Sequence, residues 1–127
     1  MPDLLAGMHI LVLEDEFLIA MDVEDLCRDA GAAKVVVRGG LDGLDEEWLL
    51  DQGFDAAILD LMLSGRSTIG LARILHSNGI PIVFASGHAA ADEFSEFPDL
   101  EVLAKPFAGS DLVTAVSTAA ARRSGRV

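Results

Sequence analysis

Four apolar runs of this sequence end in residues able to do chemistry together: Glu14-Asp15-Glu16, Asp60, Ser86-Gly87, and Lys105-Pro106-Phe107. Carboxylates gathered closely repel one another unless a cation sits among them. Hard oxygen donors that leave room for water suit magnesium better than zinc. An aspartate held rigidly after Ile58-Leu59 beside such a cation is a nucleophile toward phosphorus, because the metal offsets negative charge on both partners. A hydroxyl and an ammonium, here Ser86 and Lys105, are groups that would contact phosphoryl oxygens after transfer.

Each residue also has a plainer reading. An aspartate after a strand is commonly a turn former or helix cap. Glu14, Asp15 and Glu16 could open a helix, where acidic side chains favour the positive end of its dipole. Ser86-Gly87 could be an ordinary turn, and Lys105-Pro106 a solvated strand end. Their recurrence at successive strand ends favours one shared site.

The elements that must position them are short Val, Ile and Leu runs at 8–13, 35–37, 56–59, 80–85 and 102–104. Such runs suit strands buried on both faces, as in a parallel sheet covered by helices. Between them, 17–30 reads as a helix with Leu18, Met21, Val23 and Leu26 near its inward side and Gly31 as its stop. Leu41, Leu44, Trp48 and Leu49 suggest a second helix, ended by Gly53. A third spans 68–78, turns Ile69, Ala72, Ile74 and Leu75 inward, and gives way at Gly79-Ile80-Pro81. The last begins near Ser110 as N-cap and runs through Val113 and Val116 to Ala121. The segment 89–97 carries the least regular helical pattern. Alternating strands and helices define an α/β, doubly wound parallel sheet, in which ligands gather beyond the carboxyl ends of the strands.

With 127 residues, 51% of them hydrophobic, the chain has the size and core of one domain over 1–127, and it shows no repeat or low-complexity linker. A formal charge of -12 argues against direct nucleic-acid binding, which needs clustered cations; only Arg122, Arg123 and Arg126 are locally basic. Cys27 is the sole cysteine, so no internal disulfide or multi-thiolate zinc site is expected, and it reads as a small packing residue. Neither a leader sequence nor a long apolar span is visible, so a cytoplasmic protein with no membrane segment is expected.

Ile10-Leu11-Val12-Leu13-Glu14-Asp15-Glu16, Ile58-Leu59-Asp60-Leu61, Ile80-Pro81-Ile82-Val83-Phe84-Ala85-Ser86-Gly87 and Lys105-Pro106-Phe107, in this order and separation, resemble the receiver domain of bacterial two-component response regulators. The resemblance covers nearly the whole chain. It implies a flavodoxin-like five-stranded sheet in the order 2-1-3-4-5, with helices on both faces. It implies Asp60 as phosphoacceptor, Glu14 and Asp15 as the acidic pair, and a Met62 backbone carbonyl completing the Mg2+ ligands. By the same matching, Ser86 is the hydroxyl switch and Lys105 pairs with Asp60 or its phosphate. The implied partners are a sensor histidine kinase or phosphotransfer protein upstream and a target protein downstream. The implied role is a switch and not an enzyme.

Two positions depart from the family pattern. Val102 stands where many receivers carry a switch aromatic, and 89–98 is shorter and less regularly apolar than the usual fourth helix. Phe84-Ala85-Ser86-Gly87-His88 looks like the Phe-Ala-Thr-Gly signature of a subgroup common in alphaproteobacteria, which often includes one-domain regulators. The segment after Ser86, with the fifth strand and last helix, is the expected output surface. The sequence carries no output domain, which leaves either a free-standing regulator that acts through protein contacts or a receiver cut from a longer chain. His88 and His76 read as surface histidines, and Trp48 as an inward-facing helix residue.

Three rival functions meet specific residues. A metal-dependent phosphatase with a strand-end nucleophile would want a carboxylate two positions after it, where Met62 stands. A flavin-binding protein would need a Gly, Ser and Thr-rich phosphate turn after the first strand, where Glu14-Asp15-Glu16 would repel the phosphate. A phosphorylation-independent interaction module would have no need of Asp60, Asp15 and Lys105 together.

Overall fold

The computed structural model describes residues 3–87, 97 and 100–124. The expectations for His88, for all but the last residue of a helix at 89–97 and for most of the output segment directly after Ser86 fall outside them.

In chain order the elements are β1 (His9–Leu13), α1 (Phe17–Asp29), β2 (Lys34–Arg38), α2 (Glu46–Asp51), β3 (Ala56–Leu59), β4 (Met62–Leu63), β5 (Arg66–Ser67), α3 (Ile69–Ser77), β6 (Ile82–Ser86), β7 (Glu101–Ala104) and α4 (Gly109–Ser124). Five strands form a parallel sheet in the order β2-β1-β3-β6-β7, the doubly wound order expected. After β2 the chain crosses back over β1, so the switch point lies between β1 and β3, where such sheets bind ligands.

The two-residue period of the strands splits the core into two layers. Leu11, Leu13, Ala57, Leu59, Ile82 and Phe84 face Leu49 of α2 and Leu71, Ala72 and Leu75 of α3. Ile10, Val12, Ala56, Ile58, Val83 and Ala85 face Val23 and Cys27 of α1 and Leu112, Ala115 and Val116 of α4. Strands β1 and β3 are buried on both faces, except for half-buried His9, whereas the edge strand β7 alternates half-buried and exposed.

Helix α1 turns differently from expectation. Its buried residues are Ala20, Val23 and Cys27, while Leu18 and Met21 are 78% and 45% exposed. Small Ala20 and Cys27 let the helix lie close on the sheet. Residues at 20, 23 and 27 share one stripe, from which 18 and 21 are rotated away. Gly31 at φ 99 turns the chain after α1, as its type predicts; a Cβ there would stand 2.9 Å from Asp3 Cβ.

Helix α2 is shorter than predicted. Gly43 has φ 79, and Asp45 caps the helix by accepting the Trp48 N–H at 2.8 Å, so Leu41 and Leu44 pack on the core from the preceding turn. Trp48 is partly buried, 5.8 Å from the Phe54 ring. Helix α4 starts at Gly109, which places Ser110 inside the first turn and not at the cap. The antiparallel hairpin β4–β5 was not anticipated. It turns at Ser64 and Gly65, with φ of 52 and 79, the pair of positive angles that a tight two-residue hairpin requires.

Candidate functional site

Register brings the acidic residues together. Leu13 pairs with Leu59, so Glu14 and Asp60 follow on adjacent strands across the switch point. The Asp60 N–H donates to the Leu13 carbonyl at 3.0 Å and the Glu14 N–H to the Arg38 carbonyl at 3.1 Å, which extends the ladder just past the strand ends. One carboxylate oxygen each from Glu14, Asp15 and Asp60 lies within 4.8 Å of the others. Glu14 is buried, Asp60 partly buried and Asp15 exposed, a gradient opening toward solvent.

Lys105 follows β7, two strands away from β3, and its four-carbon stem spans the gap. Its Nζ donates to Asp60 Oδ2 at 2.9 Å and to Glu14 Oε1 at 2.5 Å. The Glu14 Oε2 accepts the Glu16 N–H at 3.1 Å. Burial raises the Glu14 carboxyl above its ordinary range, and the Lys105 and Glu16 hydrogen bonds offset only part of that rise. Burial alone would lower the Lys105 pKa, but the hydrogen bonds to Glu14 and Asp60 outweigh it and hold the ammonium above its ordinary value.

The remaining predicted residues are placed around this group. Met62 opens β4, with its N–H 3.4 Å from Asp60 Oδ1. Ser86 ends β6 and pairs in register with Ala104, immediately before Lys105. The role expected of the Ser86 hydroxyl lies outside the described side chains. Val102, at the position of the missing aromatic, is 37% exposed on β7. His76 is exposed on α3, edge-on to Phe97 at 5.3 Å, and Cys27 is fully buried, with burial pushing its thiol up to about 12.

Two residues that hold this site escaped the sequence reading. Thr68 is completely buried, and its hydroxyl lies 2.7 Å from the Asp60 carbonyl and 3.1 Å from that of Leu61, to which its own N–H also donates. It closes the loop between β3 and α3 beneath the hairpin. Ser64 at the hairpin turn donates its N–H to Asp15 Oδ2 at 2.8 Å and its hydroxyl to the Gly39 carbonyl at 3.0 Å. A Ser-Gly pair after an apolar run was the available hint of this turn.

Three clustered carboxylates with only oxygen donors fit a hard divalent cation of the magnesium type. The protein's own hydrogen bonds use one direction on each oxygen they touch, and a carboxylate oxygen has a second lone pair. A partly exposed aspartate beside both a cation site and an ammonium can accept a group bearing several negative oxygens.

No family model matches the chain. Two curated relatives are similar: the transcriptional regulatory protein DltR of Streptococcus agalactiae, 30% identical over 114 residues, covering 86% of this chain and 50% of that protein, and the transcriptional regulatory protein PdtaR of Mycobacterium tuberculosis, 32% identical over 119 residues, covering 90% and 57%. The chain thus spans about half the length of the curated relatives it matches. Among solved structures, a response regulator receiver protein from Sinorhizobium medicae WSM419 is 31% identical, with a TM-score of 0.77, covering 92% of this chain and 97% of that one. SdrG from Sphingomonas melonis Fr1 is 34% identical, with a TM-score of 0.70 and the same coverage. The receiver domain of a sensor histidine kinase from Pseudomonas aeruginosa PAO1, 21% identical with a TM-score of 0.72 over 91% of this chain and 98% of that one, shares the fold and is described with a magnesium ion coordinated in its active-site cleft.

The chain belongs to the response regulator receiver family, whose members work in two-component signal transduction. No helix among the described residues is long and apolar enough to cross a membrane.

Proposed function

We propose that this chain is a single receiver domain that accepts a phosphoryl group on Asp60 in a Mg2+-dependent reaction and switches protein contacts in response. The observation that carries the reading is the convergence of Glu14, Asp15 and Asp60 on one point, with Lys105 bonded to Asp60. Glu14, Asp15, Asp60 and the Met62 carbonyl would hold the cation, which when bound offsets the negative charge of the incoming phosphoryl oxygens.

The donor is the phosphohistidine of a sensor kinase or phosphotransfer protein. An Asp60 oxygen forms a bond to phosphorus as the histidine nitrogen–phosphorus bond breaks, and the freed electron pair returns to the imidazole, which takes up a proton. Lys105 releases part of its hold on Asp60 and meets a phosphoryl oxygen, and the Ser86 hydroxyl contacts another. The chain acts as a switch and turns over no external substrate. Exposed Phe17 and Leu18, beside Glu14 and Asp15, support docking of a protein donor there. Phe84-Ala85-Ser86-Gly87 supports membership of the Phe-Ala-Thr-Gly subgroup common in alphaproteobacteria, acting in the cytoplasm on a protein target.

Incubation with a small phosphodonor and Mg2+ tests the reading. One phosphoryl group is expected on the native protein, stable in acid and lost in base, with none when Mg2+ is withheld. Equal incorporation by an Asp60→Asn protein overturns the assignment.

A further inference from the structure

We infer that Ser64 is a positioning residue for the cation: its backbone N–H holds the Asp15 carboxylate in ligand geometry before any metal enters. The inference rests on the proposed Mg2+ site and extends it to a residue that no ligand set includes. Asp15 is the exposed member of the acidic trio, placed after β1 where no strand restrains it. An exposed aspartate samples several rotamers, and ordering it costs side-chain entropy at the moment a ligand binds. Here Oδ2 already accepts the Ser64 N–H at 2.8 Å, across 49 residues of sequence, which restrains the carboxylate before a cation arrives.

The donor is itself fixed. Ser64 adopts φ 52, a left-handed conformation that few residues other than glycine take readily, because the β4–β5 turn demands it. Its hydroxyl donates to the Gly39 carbonyl at 3.0 Å and so ties the turn to the loop after β2. The exposed contact between Arg66 and Asp42, at 3.6 Å, joins the same two segments and adds little. At the other end, the hairpin is anchored by buried Leu63 and by Thr68 beneath it. The hairpin therefore acts as a rigid bracket whose amide aims one metal ligand. Partners that orient a ligating group in this way typically change metal affinity by about 10- to 100-fold when removed.

The test compares Ser64→Gly and Ser64→Val with the native protein by Mg2+ titration, following backbone amide shifts. Glycine accepts φ 52 and keeps the N–H, so affinity within about 3-fold of native is expected. Valine is β-branched and opposes that angle, so a loss of about 10-fold is expected. Raising Mg2+ by the same factor should restore the phosphorylation rate of Ser64→Val, which general destabilisation would not allow. Native affinity in Ser64→Val overturns the inference, and so does an equal loss in Ser64→Gly, which would transfer the effect to the hydroxyl. If Ser64→Val does not fold, hydrogen exchange in the native protein decides: a Ser64 amide protected without Mg2+ and further slowed with it supports the bracket, and an unprotected one overturns it. A native protein with no Mg2+ response at all instead removes the cation site itself.

Discussion

The Lys105 ammonium lies 2.9 Å from Asp60 Oδ2, reaching over the intervening strand β6 to do so. The same nitrogen bonds Glu14, so one cation of the chain's own balances two carboxylates that would otherwise repel. This arrangement ties the charge state of the site to the stability of the fold.

A pH dependence follows from Lys105. Its folded pKa lies above the ordinary 10.5, so the stability it contributes is fully present below 10.5 and is lost as pH rises through the folded value. Glu14, also raised, runs in the same sense: its contribution is present at acidic pH and is lost as pH climbs through its folded pKa. The chain contains no tyrosine, but Cys27, pushed up to about 12 by burial, also loses stability across this window, and because it does so equally with and without Lys105 the comparison of the two proteins isolates the lysine. Urea unfolding between pH about 9 and about 11.5 should show stability falling in the native protein and falling less steeply in Lys105→Met. Parallel curves would detach Lys105 from the effect.

Asp15→Asn removes a like charge from the cluster without removing volume. The metal-free protein is expected to melt a few degrees higher while Mg2+ binding disappears. Asp60→Asn should likewise abolish binding. Calorimetry with and without Mg2+ reads both effects, and a Mg2+-induced rise in Tm that survives either substitution would move the cation elsewhere.

Much of this was legible because strands buried on both faces must be apolar runs, and the residues that end them are forced to one edge of the sheet. The helices were less legible. Phe17, Leu18, Ile19, Ala20, Met21, Val23, Leu26 and Cys27 cover most of the circumference of α1, so apolar character alone does not pick the inward stripe. Close packing against the sheet selects the small Ala20 and Cys27, and leaves Leu18 outside. Leu61-Met62-Leu63 prolongs the apolar run of β3 and masks the hairpin that follows. The bond from Ser64 to Asp15 spans 49 residues, and no local pattern encodes a contact of that range.

Thr68 should be sensitive to loss of its hydroxyl and tolerant of its shape. Thr68→Val keeps the volume but strips buried carbonyls of a donor, an expected loss of about 1–3 kcal/mol, whereas Thr68→Ser keeps the bond and should cost less. Denaturant unfolding distinguishes them. Equal stability of the valine variant and the native protein would show that the hydroxyl does not secure the loop carrying Asp60.

The outward face of α1 separates protein donors from small ones. Phe17 and Leu18 are 73% and 78% exposed, so replacing both with serine should leave folding stability within about 0.5 kcal/mol per site. Transfer from a histidine-phosphorylated donor protein is expected to slow by about 10-fold or more, with the rate from a small phosphodonor nearly unchanged. A parallel fall in both rates would place the defect in the site and not in docking.

The most direct measurement is the location of the phosphoryl group. After reaction with a small phosphodonor and Mg2+, borohydride reduction of an aspartyl phosphate leaves homoserine in its place, which peptide mass analysis can assign. Homoserine at position 60 is the expected result, absent without the phosphodonor and absent in Asp60→Asn. Homoserine at another aspartate, or a phosphoryl group that resists base and borohydride, would contradict the phosphoacceptor role of Asp60.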